Sequence, residues 1–162
     1  MNDNKFRLSF EFFPPKTDAG REKLIHVRDD LANFSPEFFS MTYGAGGSTR
    51  DNTKDLVSEF NKAGFSTAPH LSFGGDTEES IAALINEYKS VGVDRIVALR
   101  GDMPSGMGGA SQMVYANELV AFIRERFGEH FHLEVAAYPE IHPEAKSYGT
   151  DIAFLKNKFD VA

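Results

Sequence analysis

The sequence predicts an α/β fold built on a parallel sheet. Short apolar or alternating runs recur between stretches of helical period. The strand-helix unit repeats at roughly 30 residues, the size of a βα step with its return. Polar residues, glycines and prolines gather where the predicted strands end. Connections that cross through helices imply parallel strands. Two architectures satisfy this pattern, a doubly wound sheet and a (β/α)8 barrel.

Each element has its own signal. Phe6 to Phe13 reads as the first strand, stopped by Pro14 and Pro15. Thr17 or Asp18 then caps a helix with Leu24, Val27 and Leu31 on one face. Phe38 to Tyr43 is the second strand. Ser48 or Thr49 opens a helix carrying Leu56, Val57 and Phe60, which Gly64 ends. Ser66 to Phe73 is the third strand. Asp76 with Glu79 resembles a capping box ahead of Ile81, Leu84, Ile85 and Tyr88, and Gly92 closes that helix. Arg95 to Arg100 is the fourth strand. The loop from Met103 to Gln112 leads to a helix with Ala116, Leu119, Val120, Ile123 and Phe127. His132 to Tyr138 is the fifth strand, and a last helix spans about Thr150 to Phe159.

Bulk composition narrows the function. The 162 residues are 41% hydrophobic and 25% charged, ordinary for a globular protein. The formal net charge of −7 comes with no Lys/Arg cluster, so neither nucleic acid nor a membrane surface is an expected partner. Without cysteine there is no disulfide and no thiolate nucleophile. The polar N-terminus lacks the apolar segment of a signal peptide. No apolar run approaches the ~20 residues of a membrane span. A cytoplasmic protein is expected.

The candidate chemistry lies at the strand ends. In Leu8-Ser-Phe-Glu11-Phe-Phe-Pro-Pro15, a glutamate stands among Phe10, Phe12 and Phe13. Walled off by those rings, its carboxyl would hold a proton more readily and could act as a general acid. On the wet face of an alternating strand it would be an ordinary polar residue. Thr42, Tyr43 and Gly44 end the second strand, His70 lies toward the end of the third, and Arg100-Gly101-Asp102 ends the fourth. Tyr138 and His142 follow the fifth. In parallel α/β folds, ligands bind at this edge. Gly44-Ala-Gly46-Gly47-Ser-Thr49 could bring backbone N–H groups to an anion, but it matches neither a Walker A sequence nor the dinucleotide fingerprint. Arg100 could meet a phosphate, and Asp102 could stabilise positive charge on a bound ring. His70 and His142 lack the spacing of zinc ligands, so no metal site is expected. His26 reads as a surface residue.

Taken together, five segments resemble the methylenetetrahydrofolate reductase family. They are Ser9-Phe-Glu-Phe-Phe-Pro-Pro15, Thr42-Tyr-Gly-Ala45, Ala68-Pro-His-Leu71, Ala98-Leu-Arg-Gly-Asp102 and Ala136-Ala-Tyr-Pro-Glu-Ile-His-Pro-Glu-Ala-Lys146. They stand in the family's order and span nearly the whole chain. The resemblance implies an α/β fold of the (β/α)8 TIM-barrel family. It also implies FAD as cofactor and NADH or NADPH as co-substrate, in the reduction of 5,10-methylenetetrahydrofolate to 5-methyltetrahydrofolate. By it, Glu11 is the general acid that opens the folate's five-membered ring, and Asp102 is the carboxylate that favours the resulting cation. Thr42 is a nicotinamide contact. Tyr43, Ala45, His70, Arg100, Gly101, Tyr115, Ala116, Tyr138, His142, Ala145, Asp151 and Lys158 line the FAD site, with Arg100, His142 and Lys158 toward its pyrophosphate and ribose. Phe154 and Asn157 stand where other members carry polar or charged residues.

A complete barrel needs roughly 250 residues, and about five βα units are counted here. Residues 1–162 are therefore expected to be the N-terminal part of a single flavin-binding domain, inactive by itself, from a homo-oligomeric parent. A flavin-binding module without turnover and a folate-binding barrel methyltransferase are the alternatives.

Overall fold

Five parallel strands lie side by side in chain order. The computed structural model describes residues 7–43, 50–73, 76–100, 115–143 and 145–161. The strands are β1 (Ser9–Phe12), β2 (Phe38–Met41), β3 (Thr67–Leu71), β4 (Arg95–Ala98) and β5 (His132–Val135). They alternate with α1 (Asp18–Ala32), α2 (Arg50–Lys62), α3 (Glu78–Ser90), α4 (Ala116–Phe127) and α5 (Tyr148–Val161). Sequential order decides between the two architectures. Right-handed crossovers without a reversal of strand order put every helix on one side of the sheet, whereas a doubly wound sheet carries helices on both. The chain forms five βα units of the barrel type.

Register separates the two faces. Phe10 pairs with Phe39, Phe39 with Thr67, and Phe12 with Met41. These residues share the helix-covered face, because side chains alternate along a strand and align across parallel neighbours. Phe39, Met41, Leu71, Ile96 and Ala98 are buried there against Leu56, Val57 and Phe60 of α2, Ile81, Ile85 and Tyr88 of α3, and Leu119, Val120 and Ile123 of α4. Phe60 is the aromatic hub. Its ring meets Phe12 at 5.8 Å and Phe39 at 5.9 Å, both edge to face, and the Arg28 guanidinium lies 4.8 Å above it. In α1, Leu24 is buried as its spacing requires. Val27 is exposed, and Arg28 takes the inward place between the rings of Phe60 and Phe65.

Strand and helix ends differ in detail from the sequence reading. The strands stop sooner, and single hydrogen bonds carry the pairing beyond them, from Thr42 N to Phe12 O at 2.9 Å and from Leu99 N to Leu71 O at 2.9 Å. Thr17 caps α1, accepting from Gly20 N at 3.1 Å. The cap of α3 is Thr77, accepting from Ser80 N at 3.2 Å, and not Asp76. The expected acidic capping box is absent there because the helix begins one residue later. In α5 the cap is Ser147, whose hydroxyl accepts from Thr150 N at 3.2 Å while Ser147 N donates to Thr150 Oγ1 at 3.0 Å. Gly64 (φ +89°) and Gly92 (φ +88°) turn the chain after α2 and α3 in a region other residues rarely adopt.

The opposite, inner face is polar. At its N-terminal end the buried Arg95 donates to Glu37 at 2.9 Å, pairs with Glu134, and lies over the Phe38 ring at 4.6 Å. Arg7 also donates to Glu37, at 2.7 Å. The hydrogen bond from Arg7 holds the Glu37 carboxyl below its ordinary value of 4.5, helped by the charges of Arg7 and Arg95. A carboxylate lowered in this way stabilises the fold above its unfolded value, and that contribution is lost as pH falls through the folded one. Acid titration of thermal stability below pH 4.5 should therefore have a shallower slope in Glu37→Gln than in the unaltered protein. Phe60→Ala should lower the unfolding free energy by about 3–5 kcal/mol, read from urea denaturation, because it opens a cavity at the aromatic hub.

Candidate active site

Glu11 stands on the polar face of β1, in register with Ser40 of β2, which is in register with Ala68 of β3. His70 follows two residues along β3, on the same face. Ser40 and Ala68 are small, so the side chains of Glu11 and His70 meet over the intervening strand. Glu11 Oε2 lies 3.4 Å from His70 Nε2. His70 is buried, and burial pushes its imidazole below the ordinary 6.5 while the charge of Glu11 acts in the other direction. Burial disfavours the imidazolium, so near neutrality the ring is uncharged and carries a single N–H.

The surroundings of Glu11 differ from the expectation. Three phenylalanines do not enclose its carboxyl. Phe10 and Phe12 turn to the helix-covered face, Phe13 is 73% exposed, and the Glu11 side chain keeps 50% of its surface. The period of a strand is the reason: residues directly before and after any position point away from it. The local environment of the carboxyl is therefore His70 and Ser40.

The other predicted residues gather at the C-terminal edge. The carbonyl of Thr42 accepts from Thr53 Oγ1 at 3.1 Å, which pins the end of β2 to the first turn of α2. Tyr43 follows directly and is half-buried. Arg100, just past β4, lies 5.8 Å from the centre of the Tyr115 ring at the start of α4, where Ala116 is half-buried. Glu118 fixes that helix start by accepting from Tyr115 N at 2.9 Å. Beyond β5, the rings of Tyr138 and His142 meet edge to face at 4.6 Å. His142 N donates to Asp151 Oδ2 at 3.0 Å, Ala145 N to the carbonyl of His142 at 2.9 Å, and Lys158 Nζ to the carbonyl of Ala136 at 2.6 Å. Partial burial lowers the Lys158 ammonium from its ordinary 10.5, against the pull of the Asp151 charge. Ile141, at φ 152°, is a strained β-branched residue inside this cluster. Ala45, Gly101 and Asp102 lie outside the described residues.

Two features escaped the sequence reading. Ser40 is the small residue that lets Glu11 and His70 meet, and its signal is its alternation with Phe39 and Met41. Arg95, within Arg95-Ile-Val-Ala98, is a buried charge whose acidic partners come from distant segments. Among the described residues no group of three or more His, Asp or Glu is arranged to hold a metal ion. None of the described helices is long and apolar enough to cross a membrane.

Five βα units with acid, imidazole, cationic and aromatic groups at the C-terminal edge of the strands define a barrel-type α/β domain, and that edge is where folds of this class bind their ligands. The family profile described as methylenetetrahydrofolate reductase matches residues 1–162. The chain is 40% identical over 157 residues to the 5,10-methylenetetrahydrofolate reductase of Escherichia coli (strain K12), covering 96% of this chain and 52% of that protein. It is 41% identical over 157 residues to the enzyme of that name in Pectobacterium carotovorum, covering 96% and 51%. To methylenetetrahydrofolate reductase (NADH) 1 of Arabidopsis thaliana it is 39% identical over 167 residues, covering 94% and 28%. The chain belongs to the methylenetetrahydrofolate reductase family, a family of TIM-barrel fold. It spans about half the length of the bacterial relatives it matches.

The lowered value of His70 gives a pH signature with a definite sign. The unfolded chain binds the proton more readily, so stability falls as pH drops below 6.5 toward the folded value and is constant above it. Thermal melts between pH 7 and pH 5 should show this loss, and His70→Gln should remove it.

Proposed function

We propose that this protein is an oxidoreductase that reduces 5,10-methylenetetrahydrofolate to 5-methyltetrahydrofolate with NADH or NADPH as electron donor and FAD as cofactor. On this reading, residues 1–162 are the N-terminal part of one (β/α)8 flavin-binding domain. The observation that carries the reading is a glutamate on the polar face of β1, 3.4 Å from a buried histidine, in a chain the family profile matches over residues 1–162.

The residues at the strand ends fit a flavin dinucleotide. Tyr115 exposes its ring beside Arg100, Tyr138 exposes its ring after β5, and Lys158 reaches the carbonyl of Ala136 two residues before it, a set of groups suited to a planar ring system joined to a diphosphate. His142 is turned against Tyr138, and Asp151 secures the backbone of His142. Tyr43, His70, Ala116 and Ala145 complete the described part of this wall, with Ala45, Gly101 and Asp102 assigned to it from the family resemblance. Thr42 takes the nicotinamide. When bound, FAD supplies a two-electron carrier between nicotinamide and folate.

The chain's own part is acid catalysis and charge placement. Glu11 delivers a proton to the bridging nitrogen of the folate, the five-membered ring opens, and the positive charge that develops on the one-carbon unit is favoured by the carboxylate of Asp102. His70, neutral through burial, adds no competing positive charge beside that cation.

Two measurements test this. In a protein that carries the complete barrel, NADH should bleach the yellow flavin under anaerobic conditions, and methylenetetrahydrofolate should restore the colour. Bleaching without restoration would indicate a flavin-binding module, and no flavin absorbance at all would favour a folate methyltransferase. In Glu11→Gln the folate half-reaction should slow by about 10²–10⁴-fold, the range for loss of a general acid, and the nicotinamide half-reaction far less. Stopped-flow absorbance separates the two, and equal slowing would remove Glu11 from its role.

A further inference from the structure

The Glu11 carboxyl keeps half of its surface exposed, yet a general acid must present its proton from one place. A glutamate side chain with three free torsions does not do this without support. The support has to come from the polar face, because the phenylalanines on either side of Glu11 point away from it. The strand-mates of Glu11 on that face are Ser9 and, through register, Ser40 and Ala68, and none of them carries a charge. Arg95, Glu37 and Glu134 bind one another at the N-terminal end of the sheet, where His132 stands in register with Arg95. Arg100 lies beyond β4, over Tyr115.

We propose that His70 is the positioning residue for the Glu11 carboxyl, holding it over the gap above Ser40 through the 3.4 Å approach of Nε2 to Oε2. The inference rests on the functional reading above and extends it, since the family resemblance assigns His70 to the flavin wall alone. His70 is suited to the task because it is itself immobile. Its side chain is 9% exposed, its strand is buried along its whole length, and Pro69 before it stiffens the backbone. Ser40 sets the gap. It is 6% exposed, and a larger side chain there would come between the two groups.

The pair has a signature independent of turnover. With imidazole 15N and 13C NMR on the full chain, the His70 titration midpoint should move down in Glu11→Gln by about one pH unit, the coupling expected of a half-exposed pair at this distance. Ser40→Val, which keeps both titrating groups and forces them apart, should move it in the same direction by a smaller amount. An unchanged midpoint in Glu11→Gln overturns the proposal. In the holoprotein, His70→Asn should slow the folate half-reaction at least tenfold more than the nicotinamide half-reaction, with His70→Gln recovering part of the loss. Equal slowing of both, in proportion to lost FAD, also overturns the proposal and leaves His70 as a flavin contact only. If the unaltered holoprotein with the complete barrel fails to reduce the folate while the midpoint shift appears, the functional reading fails and the coupled pair stands.

Discussion

The two-residue period of a parallel strand is the constraint on which this structure depends. Along β1 the order Phe10, Glu11, Phe12 sends two rings to the helices and one carboxyl to the other side, and register repeats the division in β2 as Phe39, Ser40, Met41. Because the strands follow chain order, every crossover lands on the same side, and one face of the sheet carries the helix-packed apolar core. The second face is left for polar chemistry. A reversal of strand order would have put helices on both faces and left Glu11 and His70 no common open surface.

That division also sets the character of the site. The Glu11 carboxyl depends on an imidazole made neutral by burial and on a serine small enough to let them meet. Toward the edge, chemistry passes from strands to loops. Cations and aromatic rings come from segments that follow β4 and β5, where Lys158 donates to the carbonyl of Ala136 and the Asp151 carboxylate accepts from the backbone of His142. The groups nearest the proposed proton transfer therefore sit on the stiffest elements, and those suited to a large cofactor sit on loops that the first turns of helices hold in place.

Much of this was legible in the residues. Apolar period and turn chemistry located the five strands and five α-helices of the described residues, with Gly64 and Gly92 where a positive φ is required. Long-range arrangement was less legible. Periodicity could not choose between barrel-type and doubly wound order, because strand order is a property of pairing between distant segments. The environment of Glu11 was misjudged for a related reason: sequence neighbours of a strand residue are spatial neighbours of the opposite face. Arg28 was missed because a guanidinium with a long apolar stem can serve as core when aromatic rings receive it, and no local pattern marks those rings. Thr77 displaced the expected Asp76 cap because its hydroxyl reaches the free amide of Ser80, and Ser147 starts the last helix ahead of Thr150.

Arg95 has a mechanical meaning beyond its charges. It stands on β4, yet it grips Glu37 at the foot of β2 and Glu134 on β5, so its reach passes over β3 altogether. Strands two apart are about 9–10 Å from each other, a span that an arginine and a glutamate side chain cover together. The guanidinium thus ties β2, β4 and β5 together at the N-terminal end of the face that carries Glu11 and His70. One buried cation and two carboxylates are a clasp at the base of that face, at the opposite end from the strand ends.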